Sequence, residues 1–406
     1  MNALDHPTRR PLFRQRNFML LWSGQLVSWI GTEVTGITLP LVVLALTGSP
    51  ARAGAIAAVR GVIYVLLAIP AGALVDRWDR RRVMVLANIG SGLAMGSIPL
   101  AIVLGHLTLA HLYIAGAAEG ACFVFANLAR FAALARVVTP EEYPAARAQT
   151  SLASNVALLL GPPLGGTLYQ LAGAGLALLL DACSYLVNAV SIFFITVPLQ
   201  DTSTRESTSL ATEIRSAMAW LWQQRILRHL NVLMAGRTAI ASGLYLLIVV
   251  MAKQEGAPSA VIGLIFAAGA LGGLAGAVTA GRFHRRYRTR AVLVATTAVT
   301  WLLVSGYLGA HQVVILAALT AAIYAVDPLF EVTVASYTAA RVPDAMRGRV
   351  TSLTRLVELG SYALGLAVTG TLLESVGTMW TVGVFSVISL LLSLFAALNP
   401  LFRKLP

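Results

Sequence analysis

Twelve times between residues 18 and 400 the chain passes through about twenty residues that carry almost no charge. The runs cover 18–46, 52–75, 83–105, 109–131, 150–172, 175–198, 230–252, 259–281, 291–309, 313–336, 353–374 and 379–400. A helix rises about 1.5 Å per residue, so roughly 20 residues cross the ~30 Å hydrocarbon core of a bilayer. Only 12% of the 406 residues are charged and 57% are hydrophobic; soluble domains carry about 25% charged residues. Backbone polar groups find no water in hydrocarbon, so each run is predicted to be a helix. The first run is too long for the core of a signal peptide, about 7–15 apolar residues, and is read as retained. The fold class is an all-α membrane protein with twelve transmembrane helices.

Arginine sets the orientation. Of 30 basic residues, 25 fall in the N-terminal tail, the C-terminal tail and every second loop, and the opposite loops hold only Arg52 and Lys253. The positive-inside rule then places both termini in the cytoplasm. Lys253 and Lys404 are the only lysines beside many arginines, which suggests a GC-rich bacterial genome and hence the bacterial inner membrane as the location. The net charge of +13 is accounted for by this bias and calls for no nucleic-acid partner. Residues 199–229 form the longest polar stretch, a cytoplasmic linker between halves 1–198 and 230–406. Its second part puts Leu210, Ile214, Met218 and Leu221 on one face, the pattern of an amphipathic helix at the inner interface.

The halves echo each other. AGALVDRWDRRRVM, from Ala71, aligns with AGRFHRRYRTRAVL at an offset of 209, and GGTLYQLAG, from Gly165, aligns with TGTLLESVG at 204. Both offsets are close to half the chain, the internal duplication typical of secondary transporters. Two bundles of six helices related by pseudo-symmetry are expected.

These residues resemble the major facilitator superfamily over essentially the whole chain. Gly72, Leu74, Asp76, Arg77, Arg80 and Arg81 match its motif A, between the second and third helices. The resemblance implies that Asp76, with Arg77 and Arg80, latches the start of the eleventh helix and holds an outward-open state. Read from the residues alone, the block is also a solvated charge run that sets topology. Asp79 stands where the family has glycine, and Arg285 replaces the acid in the second copy. Gly161, Pro162, Pro163, Gly165 and Gly166 resemble motif C of the exporter branch, although Ala157 replaces its earlier glycine. Proline removes backbone donors and glycine permits close helix contact, so a kinked packing helix is the plainer reading. LLWSGQLVSWIG, LLLDACSYLVNAVSIF and VPDAMRGRVTSLTRLVELGS are similar to enterobactin-exporter and macrolide-efflux facilitators.

Charges inside the apolar runs mark the candidate cavity. The resemblance implies that the first, fourth, seventh and tenth helices line it. Those segments carry Glu33, Glu119, Arg237, and Asp327 with Glu331. A charge at mid-membrane costs about 2.5–3.5 kcal/mol, so these groups must face one another or water. Helix counting puts Glu33 and Arg60 at similar depth as a pair, with Glu119 competing for the arginine; Arg237, Asp327 and Glu331 form a second cluster. The same groups also read as ion-paired struts. Asp181, Arg355 and Glu358 are read as structural or gating residues. Proton coupling through Glu33 or Glu119 is energetically sufficient, since one proton moving through 100 mV supplies about 2.3 kcal/mol. The usual mid-helix arginine of proton-coupled exporters is absent from the fourth helix, where Arg130 lies only at the inner end.

No phosphate-cradling loop and no histidine cluster of metal-ligand spacing occurs, so no enzymatic activity, cofactor or metal is expected. Cys122 and Cys183 read as packing residues. The expectation is a monomeric secondary exporter whose partners are a lipophilic small molecule, protons and the bilayer. A siderophore or lysophospholipid exporter of the same fold and a non-transporting receptor or scaffold are the alternatives.

Overall fold

The computed structural model describes residues 11–200 and 218–404. Most of these lie in long helices: α1 (Arg16–Thr47), α2 (Pro50–Arg77), α3 (Arg80–Val103), α4 (Leu109–Val137), the continuous segment Tyr143–Phe193, α7 (Arg225–Gln254), α8 (Ser259–Arg286), α9 (Thr289–Gly306), α10 (Val313–Arg341), α11 (Asp344–Ser375) and α12 (Gly377–Leu398). All eleven are long and apolar enough to cross a membrane. The segment of 51 residues would measure about 75 Å if straight. It breaks at Gly173, with φ 76° and ψ 177°, into α5 (143–172) and α6 (174–193). Only glycine occupies that region of backbone space without strain. Twelve spans result; most match their apolar runs closely, while α4, α5 and α11 extend further past theirs at the arginine-rich end.

Helix ends are chemically specified. Ser49, Asp79 and Thr108 accept the backbone N–H of Arg52, Arg82 and His111 as N-caps of α2, α3 and α4. Asp79 thereby accounts for its place in the charge block: it starts α3. Gly48 ends α1 in the left-handed region at φ 65°.

α1 lies against α5 and α6, α3 against α4 and the 143–193 segment, and α2 against α4. Among the later helices, α7 packs on α11, α8 on α10, and α9 on α10 and α12. The main contacts between early and late helices are α2 with α11 and α5 with α8, with a smaller one between α2 and α7. They lie toward the face opposite the arginine-rich loops. There Gly54 of α2 meets Leu366 and Gly370, and Gly263 of α8 meets Pro162 and Pro163.

Of the linker, residues 201–217, including Leu210 and Ile214, lie outside the described residues. Residues 218–223 are helical. The expected membrane-facing Leu221 is instead buried in a protein core with Leu227, Leu230 and Phe402, while Met218 is exposed. Protein surface, rather than lipid, covers that part of the apolar face.

Candidate functional site

Six mid-helix charges define the candidate site, and the structure sorts them into two pairs and two free acids. Arg60 Nη2 lies 2.6 Å from Glu119 Oε1. Tyr185 of α6 donates its hydroxyl to the same carboxylate oxygen at 2.7 Å, and Thr32 of α1 lies 3.1 Å from that hydroxyl. The guanidinium also sits 3.9 Å above the Phe123 ring. The expected Glu33–Arg60 pair is therefore corrected to Glu119–Arg60. Gly120 brings α4 against the Arg60 backbone, so Glu119 sits beside the arginine. Glu33 turns toward α5 instead: a Cβ at Gly161 would overlap its own.

The second pair is Arg237–Asp327 at 2.5 Å, joining α7 to α10. Arg237 also donates to Thr300 Oγ1 at 2.9 Å and stacks 4.4 Å from Phe330. Each arginine thus meets one carboxylate and one aromatic face; Arg237 adds the Thr300 hydroxyl, whereas the buried Nε of Arg60 has no hydrogen-bond partner. That is the arrangement a charge needs away from water.

Glu33 and Glu331 remain free of hydrogen bonds and ion pairs among the described residues. Glu33 lies within electrostatic reach of Tyr245 (α7), Tyr324 (α10) and Tyr362 (α11). Glu331 is one helical turn from Asp327 but stands apart from the Arg237 pair. It lines a cavity of about 750 Å³ between α7, α10 and α11. The cavity runs from Val342 and Val350, near the arginine-rich loops, to Glu331 and Tyr362 near mid-helix. Its wall combines Met234 and Leu359 with Asn231, Thr238, Thr354 and the Arg355–Glu358 pair, 3.0 Å apart.

Asp181 is fully buried and accepts Thr35 Oγ1 at 2.5 Å and Ser184 Oγ at 3.3 Å. Charge alone marked this residue; its threonine and serine partners carried no signal in an apolar helix. Tyr185, Thr32 and Thr300 were missed for the same reason, as was Tyr362 on the cavity wall. Several aromatics are packing groups. Tyr245 stacks on Phe266 at 4.4 Å, Trp22 donates to the Gln149 carbonyl, and Phe125 stacks on Trp78.

Motif A sits at the α2–α3 turn. Gly72 is half-buried and Arg77 exposed. Arg80 donates to the Leu199 carbonyl at 3.1 Å and Arg81 to Val197 at 2.8 Å, which ties the turn to the chain after α6. Asp76 is exposed, 3.9 Å from Arg80. Among the described residues it makes no ion pair to α11, because α2 and α11 meet toward their other ends.

Motif C lies at a junction of three helices. Gly161 and Gly165 abut Glu33 and Val34 of α1, whereas Gly166 abuts Ser259 of α8. The sequence echo becomes a geometric one here. Gly166 and Gly370, 204 apart, each contact the first turn of a helix, α8 and α2 respectively. Gln170 and Glu374, also 204 apart, accept the N–H of Ala260 and Ala51, which are 209 apart. Glu374 also accepts the Ser49 hydroxyl. Two related clasps thus close one face, while the cavity occupies the arginine-rich half.

Solved structures share the fold. The nucleoside transporter NupG gives a TM-score of 0.76 at 15% identity, covering 96% of this chain and 99% of the other. A bacterial homologue of the iron transporter ferroportin, in an inward-facing state, gives 0.73 at 17% identity with coverage of 96% and 99%. Enterobactin exporter EntS of Citrobacter koseri is 24% identical over 373 residues, 90% of this chain and 86% of that protein. The Shigella flexneri protein of the same name is 25% identical over 371 residues, with coverage of 90% and 86%. The model of the transmembrane secretion effectors matches residues 8–405, and so the chain belongs to that family of exporters within the major facilitator superfamily.

Proposed function

We propose that this protein exports a lipophilic small molecule bearing a cationic group, by alternating access coupled to proton influx. The observation that carries this reading is the ~750 Å³ cavity, whose wall is largely apolar apart from threonines, Asn231, a self-neutralised Arg355–Glu358 pair and the unpaired carboxylate of Glu331. Apolar walls with few polar groups suit lipophilic ligands, and an uncompensated acid favours a cation. Glu33 and Glu331 are the proton-carrying groups in this scheme, since neither is held by an arginine. The Arg60–Glu119 and Arg237–Asp327 pairs keep the two halves rigid around them. The arginine-rich face is cytoplasmic, with both termini on it, so the cavity loads from the cytoplasm. Helices α1–α6 and α7–α12 move as two six-helix bundles of a monomer, and Asp76 engages α11 once the cavity turns outward.

A siderophore substrate is the second reading, favoured by the relatives named enterobactin exporters and by one further contact. Arg130 and Arg147 approach the same Phe131 ring at 4.7 and 5.0 Å. Neither forms an ion pair among the described residues, which leaves a basic patch for an anionic ligand.

Everted vesicles with an imposed proton gradient test both readings. Accumulation of a lipophilic cation that collapses with the gradient and is lost in Glu331→Gln supports the first. Accumulation of a catecholate siderophore that survives Glu331→Gln but is lost in Arg130→Gln replaces it with the second. No gradient-dependent movement of either compound refutes both.

A further inference from the structure

The two copies of the charge block differ in what holds their arginines. In the first copy Asp76 approaches Arg80, Asp79 caps α3, and Arg80 and Arg81 are tied to carbonyls. In the second copy, at the offset of 209, both acids are arginines: Arg285 stands for Asp76 and Arg288 for Asp79. Arg288 precedes α9 and supplies no side-chain cap. Arg282, Arg285, Arg286 and Arg288 are all exposed, and none makes a side-chain hydrogen bond or ion pair among the described residues. Four uncompensated cations in seven residues are a binding feature unless an anion answers them.

Beside them lies an apolar groove. It has a volume of about 270 Å³ and is lined by Phe283 and Tyr287 of α8's end, Val292, Ala295 and Val299 of α9, and Leu329 of α10. Phe283 and Tyr287, with ring centroids 5.5 Å apart, are exposed, as is Val299. The groove therefore opens to the outside of the helix array and is separate from the cavity between α7, α10 and α11. Arg286 lies in sequence between its two aromatic walls. A hydrocarbon slot whose rim is cationic, at the level where helices leave the membrane, matches a ligand with an acyl chain below an anionic head.

We propose that this groove binds an anionic phospholipid of the leaflet at the arginine-rich face. One acyl chain lies between α8 and α9, and the phosphate meets Arg285, Arg286 and Arg288. Tyr287 stands at the boundary, where an aromatic with a polar tip is favoured. Replacement of both acids removes the internal competitors that the first copy keeps, so the first copy does not form an equivalent site.

The test uses the full-length protein in phosphatidylcholine nanodiscs doped with phosphatidylglycerol, followed by native mass spectrometry of retained lipid. Wild type is expected to retain phosphatidylglycerol in preference to phosphatidylcholine. Each of Arg285→Gln and Arg288→Gln should lower that preference by about fivefold, the size of one interfacial cation. Ala295→Phe, which fills the groove and leaves every charge in place, should reduce retention of both lipids, and it carries the test if the charge variants insert poorly. Arg290→Gln serves as control, because Arg290 is occupied by the Ala397 carbonyl at 3.2 Å. Soluble glycerophosphate should fail to displace the lipid, which separates a lipid site from a bare phosphate site. Equal retention of the two lipids by wild type, a preference that survives both arginine substitutions, retention unaffected by Ala295→Phe, or displacement by glycerophosphate would each overturn the proposal.

Discussion

Adding one methyl group at Gly166 should open the clasped face. An alanine Cβ there would overlap the Ser259 carbonyl oxygen and lie 3.2 Å from the Ala260 Cα. Both are backbone atoms, so no side chain can swing aside. Overpacking of a tight contact costs about 1–3 kcal/mol. The contact exists only while α5 and α8 touch, so the cost falls on this conformation and shifts its population ratio by roughly 5- to 150-fold. Gly370→Ala should act likewise, since its Cβ would come 2.6 Å from the Pro50 carbonyl oxygen. Gly281→Ala, with nothing within 4 Å, is the control. Spin labels at His106 and His311, in loops of the clasped face, report the opening by electron–electron double resonance in a background lacking both native cysteines. The expected result is a longer-distance population in Gly166→Ala and Gly370→Ala and none in Gly281→Ala. If the distances stay unchanged while the unfolding midpoint falls, the methyl group has been absorbed by general loosening, and the clasps are not gates.

Glu119→Gln should destabilise the protein by about 1–3 kcal/mol in thermal melts, less than a fully buried pair would lose, because the Arg60 side chain keeps 30% exposure; the double variant with Arg60→Met should recover part of it, and full additivity would deny the coupling. Glu331→Gln should leave the melting temperature within a degree or two, since no partner is lost, yet abolish gradient-driven accumulation in vesicles; a large melting shift would assign Glu331 a structural role. Asp79→Ala should cost about 0.5–2 kcal/mol of stability through its lost cap on α3, with transport retained, whereas Asp76→Asn should slow transport without a comparable melting change. The reverse pattern would exchange the roles assigned to those two acids.

The spans were legible because hydrocarbon enforces a length and a composition, and the break at Gly173 falls between two apolar runs read directly from the sequence. The repeat offsets were equally informative: 204 and 209 reappear as the register of the clasps at Gly166 and Gly370. What the sequence could not supply was rotation about each helix axis. Counting residues gave Glu33 and Glu119 the same depth as Arg60, but depth leaves open which flank a side chain occupies, and Gly161 and Gly120 decide it through helix contact. Neutral partners such as Thr35, Thr300 and Tyr185 were invisible for another reason. A hydroxyl in an apolar helix bonds its own backbone as readily as a distant carboxylate, as Thr296 does with Val292, so composition does not distinguish the two uses.

The elbow at Gly173 has a mechanical consequence. A single residue joins two membrane-crossing rods, so there is no slack in which motion could be lost. Tilting α5 away from its seat on α8 must swing α6 as well, dragging Asp181 and Tyr185 past Thr35 and Thr32 on α1. The buried polar cluster of the first half is thereby geared to the clasped face, and a lengthened joint would uncouple them without touching either.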